Sequence, residues 1–294
     1  MVTRLLPGGV RAETPGSGPT VPERGGLAGM RPSAASRAQS AWACLPLALA
    51  LLVGCATEPA LGRPPTVEGL PAVRPVAPDS RVGAVFPGEG DLHLCTASVL
   101  ASESANLILT AAHCLAADDD TRFVPGFGGD AAGAGEDDTW HVDAVYLDPR
   151  WLADQDPVAD FAVARVERAD GARLESVTGE GLRLGAAPRP GDDVTVIGYP
   201  AGVGGGPSAC RAAAASHHGY PALHCDGVVG GFSGAPWISG STVSGLIGGL
   251  DGGGCLDEIS YSPPFGTALT DLLTRAQTGA PADRPPEDFT DGCE

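Results

Sequence analysis

From Arg81 onward, short apolar runs alternate with glycine, proline and aspartate. The runs are rich in β-branched residues, and several alternate apolar and polar positions, which predicts strands. The predicted strands lie in RVGAVF, HLCTASVL, NLILTAA, WHVDAVYL, DFAVARV, DVTVIGYP, CDGVV, APWISG and TVSGLIGGL. Many short strands separated by turn residues are typical of an all-β sandwich or barrel.

One stretch has a helical period. Across residues 266–277, Leu269, Leu272 and Leu273 fall on one face, which predicts a short C-terminal helix. The segment AAAASHHGYPALHC (212–225) is interpreted as a Gly/Ala-rich loop. Its histidines match no zinc spacing, so we expect solvated side chains rather than a metal site.

The N-terminal region has the pattern of an export signal. Residues 41–55 are mostly apolar and follow an arginine-bearing segment. They end in LVGC, which resembles the bacterial lipobox and implies lipidation of Cys55. An ordinary signal cleaved nearby, or a retained anchor, is the alternative.

Changes in composition and hydrophobic pattern along the chain predict four regions. Residues 1–55 form an N-terminal extension with the signal, and residues 56–80 form a Pro-rich linker. Residues 81–275 form the folded domain, with a seam near 170–185 between two strand-rich halves. Residues 276–294 form an acidic, Pro-rich tail, loosely held and pinned by Cys293.

The net charge of −18 argues against a nucleic-acid partner, which requires clustered cations. Acidity of this kind favours solubility outside the cell, and leaves membrane attachment to a lipid on Cys55. The runs DDD (118–120) and EDD (136–138) lack the spacing of a calcium loop and are expected to be solvated. We expect no cofactor and no metal, and a monomer.

Six cysteines follow the signal, an even number in an exported chain, which predicts three disulfides. They are Cys95, Cys114, Cys210, Cys225, Cys255 and Cys293. Spacing alone leaves the connectivity open.

Three local patterns carry candidate chemistry. TAAHC contains His113, DFAV contains Asp160, and GGFSGAPW contains Ser233. A serine nucleophile needs a base to take its proton, and the base needs an anionic partner to fix its tautomer. GFSGA nearly matches the G-x-S-x-G turn of α/β-hydrolases, but that fold requires a histidine after the serine, and every histidine here precedes Ser233.

In these motifs and their order, residues 81–275 resemble chymotrypsin-superfamily (trypsin-like) serine proteases, nearest to the bacterial V8-like, glutamyl-endopeptidase-like secreted enzymes. The resemblance implies two packed six-stranded antiparallel β-barrels. It implies that His113 is the general base, Asp160 its orienting carboxylate and Ser233 the nucleophile. The N–H groups of Gly231 and Ser233 would form the oxyanion hole.

The resemblance also implies disulfide pairings. Cys95 would pair with Cys114 beside the base. The remaining expected pairs are Cys210–Cys225 and Cys255–Cys293, with a Cys225–Cys255 bridge as the alternative.

One departure from pancreatic-type trypsins concerns activation. Those enzymes place an aspartate just before the nucleophile to receive a new N-terminus, whereas this chain has Phe232. We therefore expect an enzyme that needs no cleavage after Arg81.

A second departure concerns the substrate pocket. Gly227 stands where trypsins select basic residues, with Asp226 adjacent, and Ile247 stands where glutamate-selective relatives place a histidine. With Gly248, Gly249 and Leu250 as the candidate pocket wall, we expect a small or apolar residue before the scissile bond.

The sequence therefore predicts a serine endopeptidase that hydrolyses polypeptides. It would act on the outer face of a bacterial membrane as a lipoprotein, or be secreted. The alternative is a catalytically inactive trypsin-like lipoprotein that serves as a binding module.

Overall fold

The computed structural model describes residues 69–116, 120–130, 135–287, 289 and 293. The predicted signal with Cys55, and residues 56–68 of the predicted linker, lie outside the described residues. Among the helices that the structure describes, none is long and apolar enough to cross a membrane.

The described residues form mainly strands. The strands are β1 (Arg74–Pro75), β2 (Val82–Phe86), β3 (Leu92–His93), β4 (Cys95–Leu100), β5 (Leu107–Thr110), β6 (Arg122–Pro125), β7 (Trp140–Leu147), β8 (Ala162–Glu167), β9 (Arg183–Leu184), β10 (Asp193–Gly198), β11 (Gly202–Val203), β12 (Ser208–His217), β13 (Tyr220–His224), β14 (Pro236–Ser239), β15 (Thr242–Leu246) and β16 (Ile259–Tyr261). The α-helices are α1 (Pro149–Asp154), α2 (Leu174–Thr178) and α3 (Thr267–Gln277).

The first half is a closed barrel with the strand order β2-β4-β5-β8-β7-β6. Every residue of β2, β4 and β5 is buried, and most are apolar; Thr96, Ser98 and Thr110 are the buried polar exceptions. Trp140 and Trp151 fill one core of this half together with small and branched side chains. Closure leaves the barrel without an exposed edge strand.

The second half is an eight-stranded sheet. Its main path is β16-β13-β12-β10-β14-β15-β9, and β1 adds to β12. The expected fold class is confirmed: the protein is mostly β, with a closed six-stranded barrel and a short C-terminal helix. The second six-stranded barrel that was expected is instead an open sheet in the described residues. Its path begins at β16 and ends at β9, and these two short strands are not paired with each other.

Two local expectations were wrong. Residues 212–225 are not a loop, because β12 and β13 pair antiparallel across them, from Ala214 with Leu223 to His217 with Tyr220. The CDGVV run is not a strand, because Val228 and Val229 lie in the loop after β13. Alanine has weak strand propensity, so the β12 ladder depends on its partners β10 and β13 rather than on its own residues.

A shared core joins the two halves. It contains barrel residues such as Leu109 and Phe161 together with Ile238 and Leu246 from the sheet. Helix α3 buries Leu269 and Leu272 in the same core, on the face that the sequence predicts. The candidate base and the candidate nucleophile come from different halves. The shared core packs these two halves together.

Three disulfides join the six cysteines. The pairs are Cys95–Cys114, Cys210–Cys225 and Cys255–Cys293. The alternative Cys225–Cys255 bridge is wrong, because Cys225 is buried beside Cys210 in the core of the sheet.

Candidate active site

His113 lies in a single 3₁₀ turn, Ala112–Cys114, directly after β5. The preceding Ala111 and Ala112 are buried, which fixes the turn against the barrel. The Cys95–Cys114 disulfide ties the residue after His113 to β4. The His113 side chain is only 10% exposed, so the surrounding residues restrict the position of its ring.

Asp160 is buried and surrounded by donors. Its Oδ1 accepts the backbone N–H of His113 at 3.1 Å, and its Oδ2 accepts the ring Nδ1–H of His113 at 2.8 Å. Oδ2 also accepts the backbone N–H of Gly249 at 2.8 Å. With Nδ1 bonded to a carboxylate, the neutral ring presents Nε2 as a proton acceptor.

Ser233 lies in a tight turn that only glycine neighbours allow. Gly231 has φ +95° and Gly234 has φ +80°, in the left-handed region. A Cβ on Gly231 would lie 2.2 Å from the Ala201 backbone nitrogen, and one on Gly234 would lie 2.1 Å from the Thr96 carbonyl oxygen. Substitution at either glycine would displace the backbone around Ser233.

Two backbone donors of this turn are free. The N–H groups of Phe232, Gly234 and Ala235 donate to backbone carbonyls. Those of Gly231 and Ser233 have no acceptor among the described residues. Backbone N–H groups without intramolecular partners beside a serine can donate hydrogen bonds to a developing oxyanion.

Thr96 on β4 is hydrogen-bonded to the turn that carries Ser233. Its hydroxyl donates to the Gly231 carbonyl at 2.8 Å and accepts the Tyr199 N–H at 2.9 Å. Its backbone N–H donates to the Ser233 carbonyl at 2.8 Å, and Thr110 donates to its carbonyl at 2.8 Å. Sequence reasoning missed both threonines, although hydroxyl side chains within mainly apolar strands are a signal of buried hydrogen-bond partners.

His113 and Ser233 line one cleft of about 480 Å³. Its walls are residues 228–231 and 251–257 together with Ile259 and Ser260. No hydrogen bond joins the Ser233 hydroxyl to the His113 ring within the described residues. Catalytic hydrogen bonds are often long or unformed before substrate binds.

None of the four expected pocket residues lines this cleft. Gly227 lies beside Val73. The Asp160 carboxylate occupies the space next to Gly248, and Gly249 donates to that carboxylate, so these two support the base instead. Leu250 opens the 3₁₀ turn Leu250–Gly253, whose following residues form the wall.

Phe232 is fully buried and packs against Gly198. Val82, which follows Arg81, is fully buried in β2, where it pairs with Ser98. A new N-terminus at Val82 would have to leave the barrel, and Phe232 offers no carboxylate to receive it.

The described residues contain a single group with metal-ligand geometry, formed by Cys95, His113 and Cys114. Both sulfurs belong to one disulfide, so neither is available as a thiolate ligand. His217 and His218 contact each other at the β12–β13 turn, and His224 ends β13.

Comparison with solved structures identifies the fold. Protease Anisep from Arthrobacter nicotinovorans is 23% identical with a TM-score of 0.59, over 70% of this chain and 100% of that chain. The thermostable serine protease AL20 from an extremophilic microorganism is 22% identical with a TM-score of 0.57, over 68% and 98%. A Glu endopeptidase is 16% identical with a TM-score of 0.52, over 70% and 97%. The fold is chymotrypsin-like.

Comparison with sequences gives one family. No curated protein matches the chain. The family model described as a trypsin-like peptidase domain matches residues 95–248, which are more than half of the chain and include His113, Asp160 and Ser233. This chain therefore belongs to the trypsin-like peptidase family, and its polypeptide-directed protease chemistry follows from that membership.

Proposed function

We propose that the protein is a serine endopeptidase that uses His113, Asp160 and Ser233. One observation carries the proposal: Asp160 holds His113 by two hydrogen bonds, and His113 shares a cleft with Ser233 and two free N–H groups. A base fixed by a buried carboxylate beside a serine is the arrangement that nucleophilic acyl transfer requires.

The mechanism follows from these groups. The Ser233 hydroxyl attacks the scissile carbonyl while His113 Nε2 takes its proton. The N–H groups of Gly231 and Ser233 stabilise the oxyanion, and each such donor contributes about 3 kcal/mol in the transition state. His113 then protonates the leaving amine, which departs and leaves an acyl-enzyme. In the second step water attacks the acyl carbonyl while His113 takes its proton, and His113 returns a proton to Ser233 as the acid product leaves.

We infer a preference for non-acidic residues before the scissile bond. Val228 and Ile259 give the cleft an apolar part, which fits a small or apolar side chain. The carboxylates of Asp251 and Asp257 belong to residues of the same wall. They would repel a glutamate side chain, so V8-like specificity is disfavoured.

We propose that the enzyme acts outside the cytoplasm. Three disulfides favour an oxidising compartment. Attachment to a membrane through a lipidated Cys55 remains the proposal for its location, with secretion as the alternative, and the working unit is proposed to be a monomer. Mass spectrometry of the mature N-terminus distinguishes an acylated Cys55 from a simply cleaved signal.

A fluorophosphonate probe tests the activity, because it reacts only with an activated serine. We expect labelling of the wild type and of Ser239→Ala, a matched control at an exposed serine on β14. Ser233→Ala should abolish labelling. A folded wild type that resists the probe would instead support the inactive binding module.

A further inference from the structure

His93 is a fully buried histidine that the proposed mechanism does not use. Its ring lies edge-on to the rings of Phe86, Phe127 and Tyr199, at centroid distances of 5.5, 5.6 and 6.1 Å. Its Nε2 lies 2.9 Å from the Gly204 carbonyl oxygen. Because a backbone carbonyl only accepts hydrogen bonds, Nε2 carries the ring proton and donates it. His93 is therefore a hydrogen-bond donor placed in otherwise aromatic surroundings.

The carbonyl that accepts this bond belongs to a segment with almost no side chains. Residues 201–206 read AGVGGG, and their one large side chain, that of Val203, is 61% exposed. Packing of its own side chains therefore does not hold the segment, and glycine gives the backbone more freedom than any other residue. Backbone pairing of β11 with β3 places Gly202 opposite His93. The His93 ring adds the bond to Gly204, a buried residue with φ +68°.

The start of this segment holds the peptide unit that carries a proposed oxyanion donor. The Ala201 N–H donates to the Gly230 carbonyl at 2.8 Å. The peptide unit with this carbonyl also contains the Gly231 N–H, one of the two free donors beside Ser233. Peptide units are planar and trans, so their carbonyl and N–H point in opposite directions. The bond from Ala201 thereby sets the direction of the Gly231 N–H.

Glycine on both sides makes this direction dependent on the hydrogen bond. Gly230 and Gly231 lack side chains, so rotation of the peptide unit between them meets little steric resistance. Even a Cβ on Gly230 would meet nothing within 4 Å. A rotated unit would present a carbonyl oxygen where the oxyanion forms, and an oxyanion needs donors there. The site therefore requires the orientation that the Ala201 N–H holds.

We propose that His93 is a positioning residue for the oxyanion hole. Its ring N–H anchors Gly204, which fixes the segment that begins at Ala201. The Ala201 N–H in turn keeps the Gly231 N–H directed into the cleft, which both residues line. Ala201 also packs directly against Gly231, where an added Cβ would lie 2.2 Å from the Ala201 nitrogen. This proposal rests on the proposed peptidase function.

The experiment separates the hydrogen bond from the volume of the side chain. His93→Leu removes the donor, His93→Gln places an amide N–H within reach of the Gly204 carbonyl, and Leu92→Ala is the control at the exposed neighbouring residue. For each full chain, kcat and KM are measured with a chromogenic peptide amide that has alanine before the scissile bond. The Ki of the aldehyde of the same peptide is measured as well. The Ser233 hydroxyl adds across the aldehyde carbonyl to give a hemiacetal, whose oxygen takes the oxyanion position.

We expect His93→Leu to lower kcat by about tenfold to a hundredfold, to leave KM within about twofold, and to weaken aldehyde binding by the same factor as kcat. His93→Gln should recover kcat to within about threefold of the wild type, and Leu92→Ala should match the wild type. A merely structural role would not change kcat and aldehyde binding together at constant KM. An unchanged kcat in His93→Leu, equal losses in the Leu and Gln variants, or a change confined to KM overturns the proposal.

Two measurements decide the proposal if His93→Leu does not fold. Heteronuclear NMR of the wild-type histidine rings should show the His93 proton on Nε2, and a proton on Nδ1 instead overturns the proposal. Ala201→Pro removes the N–H that bonds to Gly230, so the same fall in kcat at constant KM is expected, and wild-type kinetics overturn the proposal. If fluorophosphonate fails to label Ser233 in the wild type, the peptidase function and this proposal both fail. Labelling without the kinetic effect refutes the role of His93 alone.

Discussion

Replacing Thr96 by valine removes one hydroxyl from beneath the Ser233 turn and keeps the side-chain shape. Thr96 is fully buried, and its hydroxyl satisfies the Gly231 carbonyl at 2.8 Å and the Tyr199 N–H at 2.9 Å. Valine leaves both groups buried without partners. Each unsatisfied group costs about 1–3 kcal/mol, so we expect a loss of about 3 kcal/mol and a Tm lower by about 6–12 °C.

The same change should slow the chemistry. With its carbonyl released, Gly231 loses a contact that holds the turn carrying the two proposed oxyanion donors, and loss of one such donor slows catalysis by about a hundredfold or more. A partial displacement should slow fluorophosphonate labelling by about tenfold to a hundredfold.

Thr96→Ser is the matched control, because it keeps the hydroxyl and loses only a methyl group. Thermal unfolding and labelling rate should place it near the wild type. If Thr96→Val and Thr96→Ser have equal Tm values and equal labelling rates, the hydroxyl does not support the turn, and the reasoning fails.

Three further changes test other parts of the site. Asp160→Asn should lower kcat for casein by about ten-thousandfold with the fold retained by circular dichroism, because an amide cannot hold the required His113 tautomer; a fall below tenfold would contradict this. Arg81→Gln should leave activity unchanged, since no activating cleavage is expected, but alter acid stability. The Arg81 guanidinium lowers the pKa of Asp79 below 3.8, so this stabilisation exists above about pH 4 and disappears as pH falls through the folded pKa. Denaturant titrations from pH 7 to pH 2 should show a smaller loss of stability in Arg81→Gln, and parallel curves would exclude the effect. Matched peptides with Gln or Glu before the scissile bond should differ in kcat/KM by about tenfold in favour of Gln, whereas faster Glu cleavage would restore glutamyl specificity.

Local sequence pattern predicts most of the barrel because its strands are apolar and β-branched. It fails at β12, where alanines form a ten-residue strand only because β10 and β13 flank them. It fails again at Val228 and Val229, whose strand-like residues lie in a loop beside the cleft. In both places, tertiary partners decide the structure.

The candidate site likewise has residues that the sequence predicts and residues that only tertiary structure brings to it. Residue types and their order, together with the resemblance to trypsin-like proteases, nominate His113, Asp160 and Ser233. The cleft wall at 251–257 is glycine-rich and has no periodicity, so no pattern identifies it. The contact between Phe289 and His113 joins residues far apart in sequence, and only the folded chain reveals it.

Strand β4 has a consequence for how the site keeps its dimensions. Two adjacent residues of this strand serve the two proposed partners: Cys95 is bonded to the residue after His113, and Thr96 is hydrogen-bonded to the turn that carries Ser233. Neighbouring strand residues point to opposite faces, so one strand can brace both sides at once. The separation of base and nucleophile thus depends on two adjacent residues of one strand, and less on how the barrel and the sheet are placed relative to each other. We therefore expect the two groups to keep their separation when one half rotates slightly against the other, because both segments are attached to β4.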